Sequence, residues 1–106
     1  MRIITGSARG VSLYTLAGEN TRPTAERTKE AVFSMLQFEI EGRRVLDLFS
    51  GSGQMALEAL SRGAEFAVLV DKSKEAIGVI EKNVAKTKMK DKCRVICGDS
   101  LDYLKR

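Results

Sequence analysis

The sequence feature that most constrains the fold is an apolar run that ends in a glycine-rich turn. Residues 45–49 read Val-Leu-Asp-Leu-Phe, residues 50–53 read Ser-Gly-Ser-Gly, and a helix-forming stretch follows over 54–62. A buried strand, a tight turn and a helix in this order form a βα unit, because glycine adopts backbone conformations that other residues avoid. The chain is therefore expected to contain a parallel sheet that packs against helices.

The strand-then-helix order recurs along the chain. Residues 66–70 are almost wholly apolar, which is typical of a strand covered on both faces. Ser73 is placed to cap a helix that extends to about residue 86. The apolar stripe of this helix consists of Ile77, Ile80 and Val84. A third strand is predicted over 94–97, so the order from residue 43 onwards is that of an α/β fold with right-handed crossovers.

The first 42 residues differ in pattern from the rest. Residues 2–6 and 11–16 are β-prone and flank a glycine-containing connection, which predicts an antiparallel ribbon. Pro23 suits the first turn of a helix that continues to about residue 37. We therefore divide the chain into an N-terminal ribbon and helix over 1–42 and an α/β portion over 43–106.

Composition excludes several classes of protein. The chain is 43% hydrophobic and 30% charged, which is typical of a folded globular domain and not of a disordered one. No apolar run approaches the roughly 20 residues that cross a bilayer, and no signal peptide is visible, so we expect a cytoplasmic protein without membrane association. Cys93 and Cys97 lie four residues apart on a predicted strand, too far apart for a disulfide, so they are interpreted as buried free thiols. Because the chain contains no histidine, no metal site is expected.

Basic residues are unevenly distributed along the chain. The net charge of +4 is compatible with a nucleic-acid partner but does not establish one. The first 29 residues carry more basic than acidic side chains, namely Arg2, Arg9, Arg22, Arg27 and Lys29 against Glu19 and Glu26. A second basic run over 82–94 is interpreted as the solvated outer side of a helix and its following loop.

Three aspartates stand at the carboxyl ends of the predicted parallel strands, namely Asp47, Asp71 and Asp99. Ligands of open α/β sheets bind at this edge. A carboxylate after the second strand can accept hydrogen bonds from both ribose hydroxyls of an adenosine. Asp47 would repel the pyrophosphate of a dinucleotide and attract the amino group of a sulfonium cofactor. The pattern favours S-adenosylmethionine, and the alternative is that the aspartates only cap helices or turns.

The motif Asp47-Leu-Phe-Ser-Gly-Ser-Gly53, followed by Leu57-Glu-Ala-Leu-Ser-Arg-Gly-Ala64, closely resembles the bacterial small-subunit ribosomal RNA guanine-N2 methyltransferase family. Residues 2–6, the run Thr21-Arg-Pro-Thr24 and the run Gly98-Asp99-Ser100 look like the same family. The resemblance implies a Rossmann-like methyltransferase fold, represented here by its first three parallel strands. It also implies methyl transfer from S-adenosylmethionine to the exocyclic amine of a guanine in ribosomal RNA, with S-adenosylhomocysteine as product.

The resemblance further implies which residues bind. The cofactor-binding set consists of Asp47, Phe49, Gly51, Gly53, Asp71, Lys72, Asp99 and Ser100. Within it, the glycine motif would hold the methionyl part of the cofactor, Asp71 the ribose and Asp99 the adenine. The candidate contacts to ribosomal RNA are Arg9, Arg22, Thr24 and Arg27. Surface salt bridges on the first helix are an equal alternative for Arg22 and Arg27.

Members of the resembled family carry a further motif that this chain lacks. It is an Asp/Asn-Pro-Pro-aromatic sequence at the end of the fourth strand, where it grips the amine to be methylated. The only proline here is Pro23. We therefore assign no catalytic residue and expect roughly the C-terminal half of the family fold to be missing. The open edge of the first strand would then favour self-association or complementation by another chain.

Three alternative functions stay open from the sequence. A nicotinamide-binding fragment is disfavoured by Asp47 before the glycine turn. A non-catalytic module that binds RNA or associates with itself is supported by the absent fourth-strand motif. A methyltransferase that acts on another nucleic-acid amine, such as adenine in DNA, also fits, because the sequence does not specify the target nucleotide.

Overall fold

The computed structural model of the chain describes residues 2–15, 40–48 and 51–99. The regular elements of these ranges are β1 (Arg44–Asp47), α1 (Gln54–Ser61), β2 (Phe66–Asp71), α2 (Lys74–Thr87), a 3-10 turn (Lys90–Lys92) and β3 (Cys93–Cys97). Their order confirms the strands and helices predicted from residue 43 onwards. The helix predicted to start near Pro23 lies outside the described residues.

The three strands form one parallel sheet in the order β1-β2-β3. The register pairs Asp47 with Leu69 across β1 and β2, and Asp71 with Cys97 across β2 and β3. The carboxyl ends of all three strands therefore meet at one edge of the sheet. This architecture confirms an incomplete Rossmann-like fold.

Helices α1 and α2 pack on the sheet through fully buried side chains that include Leu57, Leu60, Leu69 and Ile80. The cap predicted at Ser73 is confirmed. Ser73 caps α2, since its Oγ accepts a hydrogen bond from the Ala76 amide at 3.2 Å. Gly63 follows α1 with a φ of +107°, the left-handed conformation that commonly ends a helix.

Residues 2–15, called the N-terminal segment below, pack against this core. Ile3, Ala8 and Leu13 are buried in the hydrophobic core. The ribbon predicted here is reduced to a single antiparallel bridge between Arg2 and Ser12. The physical reason is that several backbone amides of the segment donate to side chains of α1 and α2 and not to a partner strand.

The two cysteines differ in exposure. Both are free thiols, as expected, but only Cys93 is half-buried, and the prediction that both are buried is wrong for Cys97. Cys97 is the last residue of β3, an outer strand of the described sheet, and its Sγ lies 3.9 Å from the Lys72 carbonyl oxygen. Within the described ranges, no helix combines the length and the apolarity needed to cross a bilayer.

Candidate cofactor-binding site

The three aspartates lie where the sequence places them, along the carboxyl edge of the sheet. Asp47 and Asp71 are the last residues of β1 and β2, and Asp99 follows the end of β3 by two residues. Asp47 and Asp71 are half-buried, whereas Asp99 is exposed. The edge thus carries acidic side chains after each strand, and this arrangement suits a ligand with hydroxyl and amino groups.

Asp71 connects the loops that follow all three strands. One carboxylate oxygen accepts a hydrogen bond from the Gly51 amide at 3.0 Å, and the other accepts one from the Ser73 amide at 2.9 Å. The Asp71 carbonyl oxygen accepts from the Gly98 amide at 3.0 Å. The turn-stabilising role that the sequence left open is therefore real at Asp71. Because each carboxylate oxygen has two lone pairs, both oxygens keep capacity for donors from a ligand.

The two glycines of the turn serve different physical needs. Gly51 has a φ of +57°, and a β-carbon there would meet no heavy atom of the described residues within 4 Å, its chain neighbours aside. Gly53 has a φ of +82°, and a β-carbon there would come within 3.2 Å of Leu69 and 3.6 Å of Ile80. Gly53 therefore allows the turn to pack on β2 and α2. Gly51 instead has no described side chain packed on it, and its amide lies 3.0 Å from the Asp71 carboxylate.

Two polar side chains at the start of α1 lack partners among the described residues. Ser52 is only 2% exposed, yet its hydroxyl makes no hydrogen bond to any described residue. The side-chain oxygen of Gln54 is buried and likewise has no described partner. A buried polar group without a partner costs about 1–3 kcal/mol, so such groups in a native fold call for an explanation. Both atoms are already buried by protein, so the fit of this edge to an adenosyl cofactor rests on the remaining acceptor capacity of the Asp71 carboxylate.

Two further predicted binding residues, Lys72 and Arg9, lie within the described ranges. Lys72 is exposed beside Asp71, and Arg9 is exposed in the turn of the N-terminal segment. Phe49 and Ser100 lie outside the described residues, as do Arg22, Thr24 and Arg27. The described part of the chain thus brings together the predicted ribose and adenine aspartates and both glycines.

Sequence reasoning missed the buried polar residues that bind the N-terminal segment. Glu58 is completely buried and accepts hydrogen bonds from the amides of Ile4 at 2.8 Å and Thr5 at 3.1 Å, and it forms an ion pair with Arg62 at 2.9 Å. The Ser61 hydroxyl accepts from the Ala8 amide at 3.0 Å. The only available signal was their spacing, which places Glu58 and Ser61 three residues apart on one side of α1.

Comparison with known proteins identifies the family. Residues 1–106 match the family model described as "Conserved hypothetical protein 95". The chain belongs to this family. It is 38% identical over 107 residues to the "Ribosomal RNA small subunit methyltransferase D" of Haemophilus influenzae, an alignment that covers 100% of this chain and 55% of the relative. The chain thus spans about half the length of the curated relatives it matches.

Solved structures show the same relationship. The structure described as "Putative methyltransferase yhhF from Escherichia coli" superposes with a TM-score of 0.88 at 36% identity, covering 98% of this chain and 56% of that one. The "SAM Dependent Methyltransferase from Agrobacterium tumefaciens" superposes with a TM-score of 0.67 at 29% identity, covering 81% of this chain and 28% of that one. The fold at the carboxyl edge is therefore that of methyltransferases.

Proposed function

We propose that this chain is the cofactor-binding half of an S-adenosylmethionine-dependent methyltransferase that modifies the exocyclic amine of a guanine in small-subunit ribosomal RNA. The observation that carries the proposal is the Asp71 carboxylate, held by the Gly51 and Ser73 amides at the carboxyl edge of the sheet. Relatives named as ribosomal RNA small-subunit methyltransferases support the substrate class.

The proposed binding mode follows the order of the loops. Asp71 accepts hydrogen bonds from the ribose hydroxyls, and Lys72 lies beside it. Asp99 and the backbone at Ser100 receive the adenine. Asp47, Phe49, Gly51 and Gly53 surround the methionyl part, whose amino group is attracted by Asp47. The acidic edge disfavours a pyrophosphate, which makes a nicotinamide dinucleotide the weaker candidate.

The contribution of this half to the reaction is binding and orientation. S-adenosylmethionine, when bound, supplies an activated methyl group on a sulfonium. The residues of this chain would hold that group at the carboxyl edge of the sheet, where a substrate amine can approach it. Bringing two reactants together in a fixed geometry removes much of the entropic barrier to their reaction. No residue of this chain is assigned a catalytic role.

The ribosomal RNA contacts are proposed for residues 1–42, of which residues 2–15 share the hydrophobic core of the α/β portion over 43–106 through Ile3, Ala8 and Leu13. Arg9 is exposed and available to meet a phosphate, and Arg22, Thr24 and Arg27 complete the candidate set. A ribosomal substrate would place the protein in the cytoplasm, where bacterial ribosomes are. The alternative function is a non-catalytic module that binds RNA.

Calorimetric titration with S-adenosylhomocysteine tests the proposal. We expect the wild-type chain to bind at one site and Asp71→Asn to weaken binding by about tenfold or more, because an amide presents a donor where the ribose hydroxyls need an acceptor. Asp91→Asn is the matched control, since Asp91 is exposed in the 3-10 turn. Circular dichroism of both variants monitors the fold.

The result that overturns the cofactor assignment is a folded wild-type chain that binds a nicotinamide dinucleotide but not S-adenosylhomocysteine. The substrate class needs a separate assay, in which methyl transfer to undermodified small-subunit RNA is measured for the protein together with the C-terminal half of a relative. RNA binding without methyl transfer in that mixture would favour the non-catalytic module.

A further inference from the structure

Asn83 joins two parts of the chain that are distant in sequence. Its side chain is completely buried in α2. The side-chain oxygen accepts a hydrogen bond from the Tyr14 amide at 2.7 Å. The side-chain nitrogen donates to the Tyr14 carbonyl at 2.9 Å and to the Ser52 carbonyl at 2.8 Å. Both donor hydrogens of the amide are thus used, one on the N-terminal segment and one on the glycine turn.

The hydrogen bond from Asn83 to the Ser52 carbonyl also determines the direction of the neighbouring Gly53 N–H. Ser52 lies between Gly51 and Gly53, which both have positive φ and the wide conformational freedom of glycine. The peptide bond between Ser52 and Gly53 is trans and planar, so the direction of the Ser52 carbonyl sets the opposite direction of the Gly53 N–H. Asn83 therefore fixes the orientation of the amide at the start of α1, beside the candidate cofactor site.

We propose that Asn83 is a positioning residue that holds the glycine turn in its cofactor-binding conformation and couples the turn to the N-terminal segment. The inference rests on the proposed function, because the coupled ligand is the adenosyl cofactor. When the hydrogen bonds to Tyr14 are lost, the side-chain amide of Asn83 is free to rotate and no longer orients Ser52. When a ligand fixes the position of Ser52, the Asn83 side chain is held in place and its hydrogen bonds to Tyr14 become more stable. Since such coupling is reciprocal, cofactor binding and docking of the N-terminal segment stabilise each other.

The arrangement distinguishes Asn83 from an ordinary buried polar residue of the same helix. Thr87 lies one turn further along α2 and is also buried. Among the described residues, its hydroxyl donates within the helix, to the carbonyls of Asn83 at 2.7 Å and Val84 at 3.2 Å. Thr87→Val therefore perturbs the interior of α2 without touching the glycine turn, and it is the matched control for a change at Asn83.

The first test compares Asn83→Asp with Thr87→Val. Aspartate has nearly the same shape and keeps an acceptor for the Tyr14 amide, but when ionised it cannot donate to Ser52. Hydrogen exchange without ligand is expected to be faster at the amides of residues 51–53 in Asn83→Asp and unchanged there in Thr87→Val. Binding of S-adenosylhomocysteine is expected to weaken by about tenfold in Asn83→Asp and by less than about twofold in Thr87→Val.

The second test needs only the wild-type chain, so it holds even where a variant does not fold. Saturation with S-adenosylhomocysteine is expected to slow exchange of the Tyr14 amide more than that of the Ile3 amide, which donates to the Val11 carbonyl at 2.9 Å. Cofactor binding that leaves the Tyr14 amide unchanged overturns the coupling. A wild-type chain that shows no cofactor binding contradicts the proposed function instead. The positioning role is judged separately, without ligand: equal hydrogen exchange at residues 51–53 in the wild type and in Asn83→Asp refutes it.

Discussion

Gly6 lies directly against the carbonyl of Ser61. A β-carbon on Gly6 would come within 1.7 Å of the Ser61 carbonyl oxygen, and the neighbouring Ser7 amide donates to that same oxygen at 2.8 Å. The backbone of the N-terminal segment thus approaches the end of α1 as closely as two backbones can. Only a residue without a side chain can occupy this position.

This contact predicts a large difference between two glycine substitutions. Gly6→Ala should lower the free energy of unfolding by about 3 kcal/mol or more, because the added methyl group must displace backbone atoms. Gly10 has a similar φ of +84°, but a β-carbon there would meet no atom of the described residues within 4 Å, so Gly10→Ala should cost only about 1 kcal/mol of backbone strain. Urea denaturation measures both. Equal losses would mean that the N-terminal segment is not held against α1.

The second prediction concerns the buried carboxylate of Glu58. Its carboxylate accepts two backbone amides and the Arg62 guanidinium. In Glu58→Gln one side-chain donor must face a backbone donor, so we expect the free energy of unfolding to fall by about 2 kcal/mol. Glu81→Gln is the control, because Glu81 is exposed on α2 and should change stability little. Denaturation curves of the two variants decide the matter, and a Glu58→Gln protein as stable as wild type would contradict the buried hydrogen bonds.

The sequence was sufficient to predict the elements whose signals are local. The strand and helix order from residue 43 follows from apolar periodicity, and the cap at Ser73 follows from the chemistry of a single side chain. The positions of Asp47, Asp71 and Asp99 then follow from topology, since parallel strands align their carboxyl ends. These features need no knowledge of distant contacts.

Features that depend on contacts between distant residues could not be predicted in this way. Glu58 has the appearance of a surface residue, because its burial depends on amides about fifty residues earlier in the chain. The same donation removes the Ile4 and Thr5 amides from the predicted ribbon, in which residues 2–15 form a single bridge between Arg2 and Ser12. Asn83 lies in the middle of a predicted helix, and nothing local indicates that its side chain contacts both Tyr14 and Ser52.

The glycine turn gives a third prediction. Gly51→Ala should fold with a loss of about 1 kcal/mol, because a left-handed residue without steric conflict costs little more than that. Under the proposed function it should nevertheless weaken binding of S-adenosylhomocysteine, since its methyl group is added at the residue whose amide lies 3.0 Å from the Asp71 carboxylate. Gly53→Ala should lose more stability, because its methyl group presses on Leu69. Calorimetry and thermal unfolding of the pair separate a ligand contact from a packing contact.

The open edge of β1 gives a fourth prediction. Within the described ranges β1 pairs only with β2, and Leu46 on it is 46% exposed. Unpaired strand edges associate with other chains, so we expect light scattering to detect self-association at high concentration. Leu46→Lys should reduce it, whereas Met55→Lys, a change at an exposed apolar residue of α1, should not. A wild-type chain that stays monomeric throughout would remove this expectation.

The two thiols give the last prediction. Burial raises the pKa of the Cys93 thiol, because the thiolate loses solvation in its half-buried position. Iodoacetamide reacts with thiolates, so at neutral to mildly alkaline pH it should label exposed Cys97 faster than Cys93. Faster labelling of Cys93 than of Cys97 would show that β3 does not pack as described.

The raised pKa of Cys93 also makes stability depend on pH. Because the folded-state pKa lies above the unfolded one, the contribution of this thiol to stability is complete below the unfolded pKa of about 8.5 and is lost as pH rises through the folded pKa. The free energies of unfolding of the wild type and of Cys93→Ala, measured as a function of pH, should therefore converge at alkaline pH.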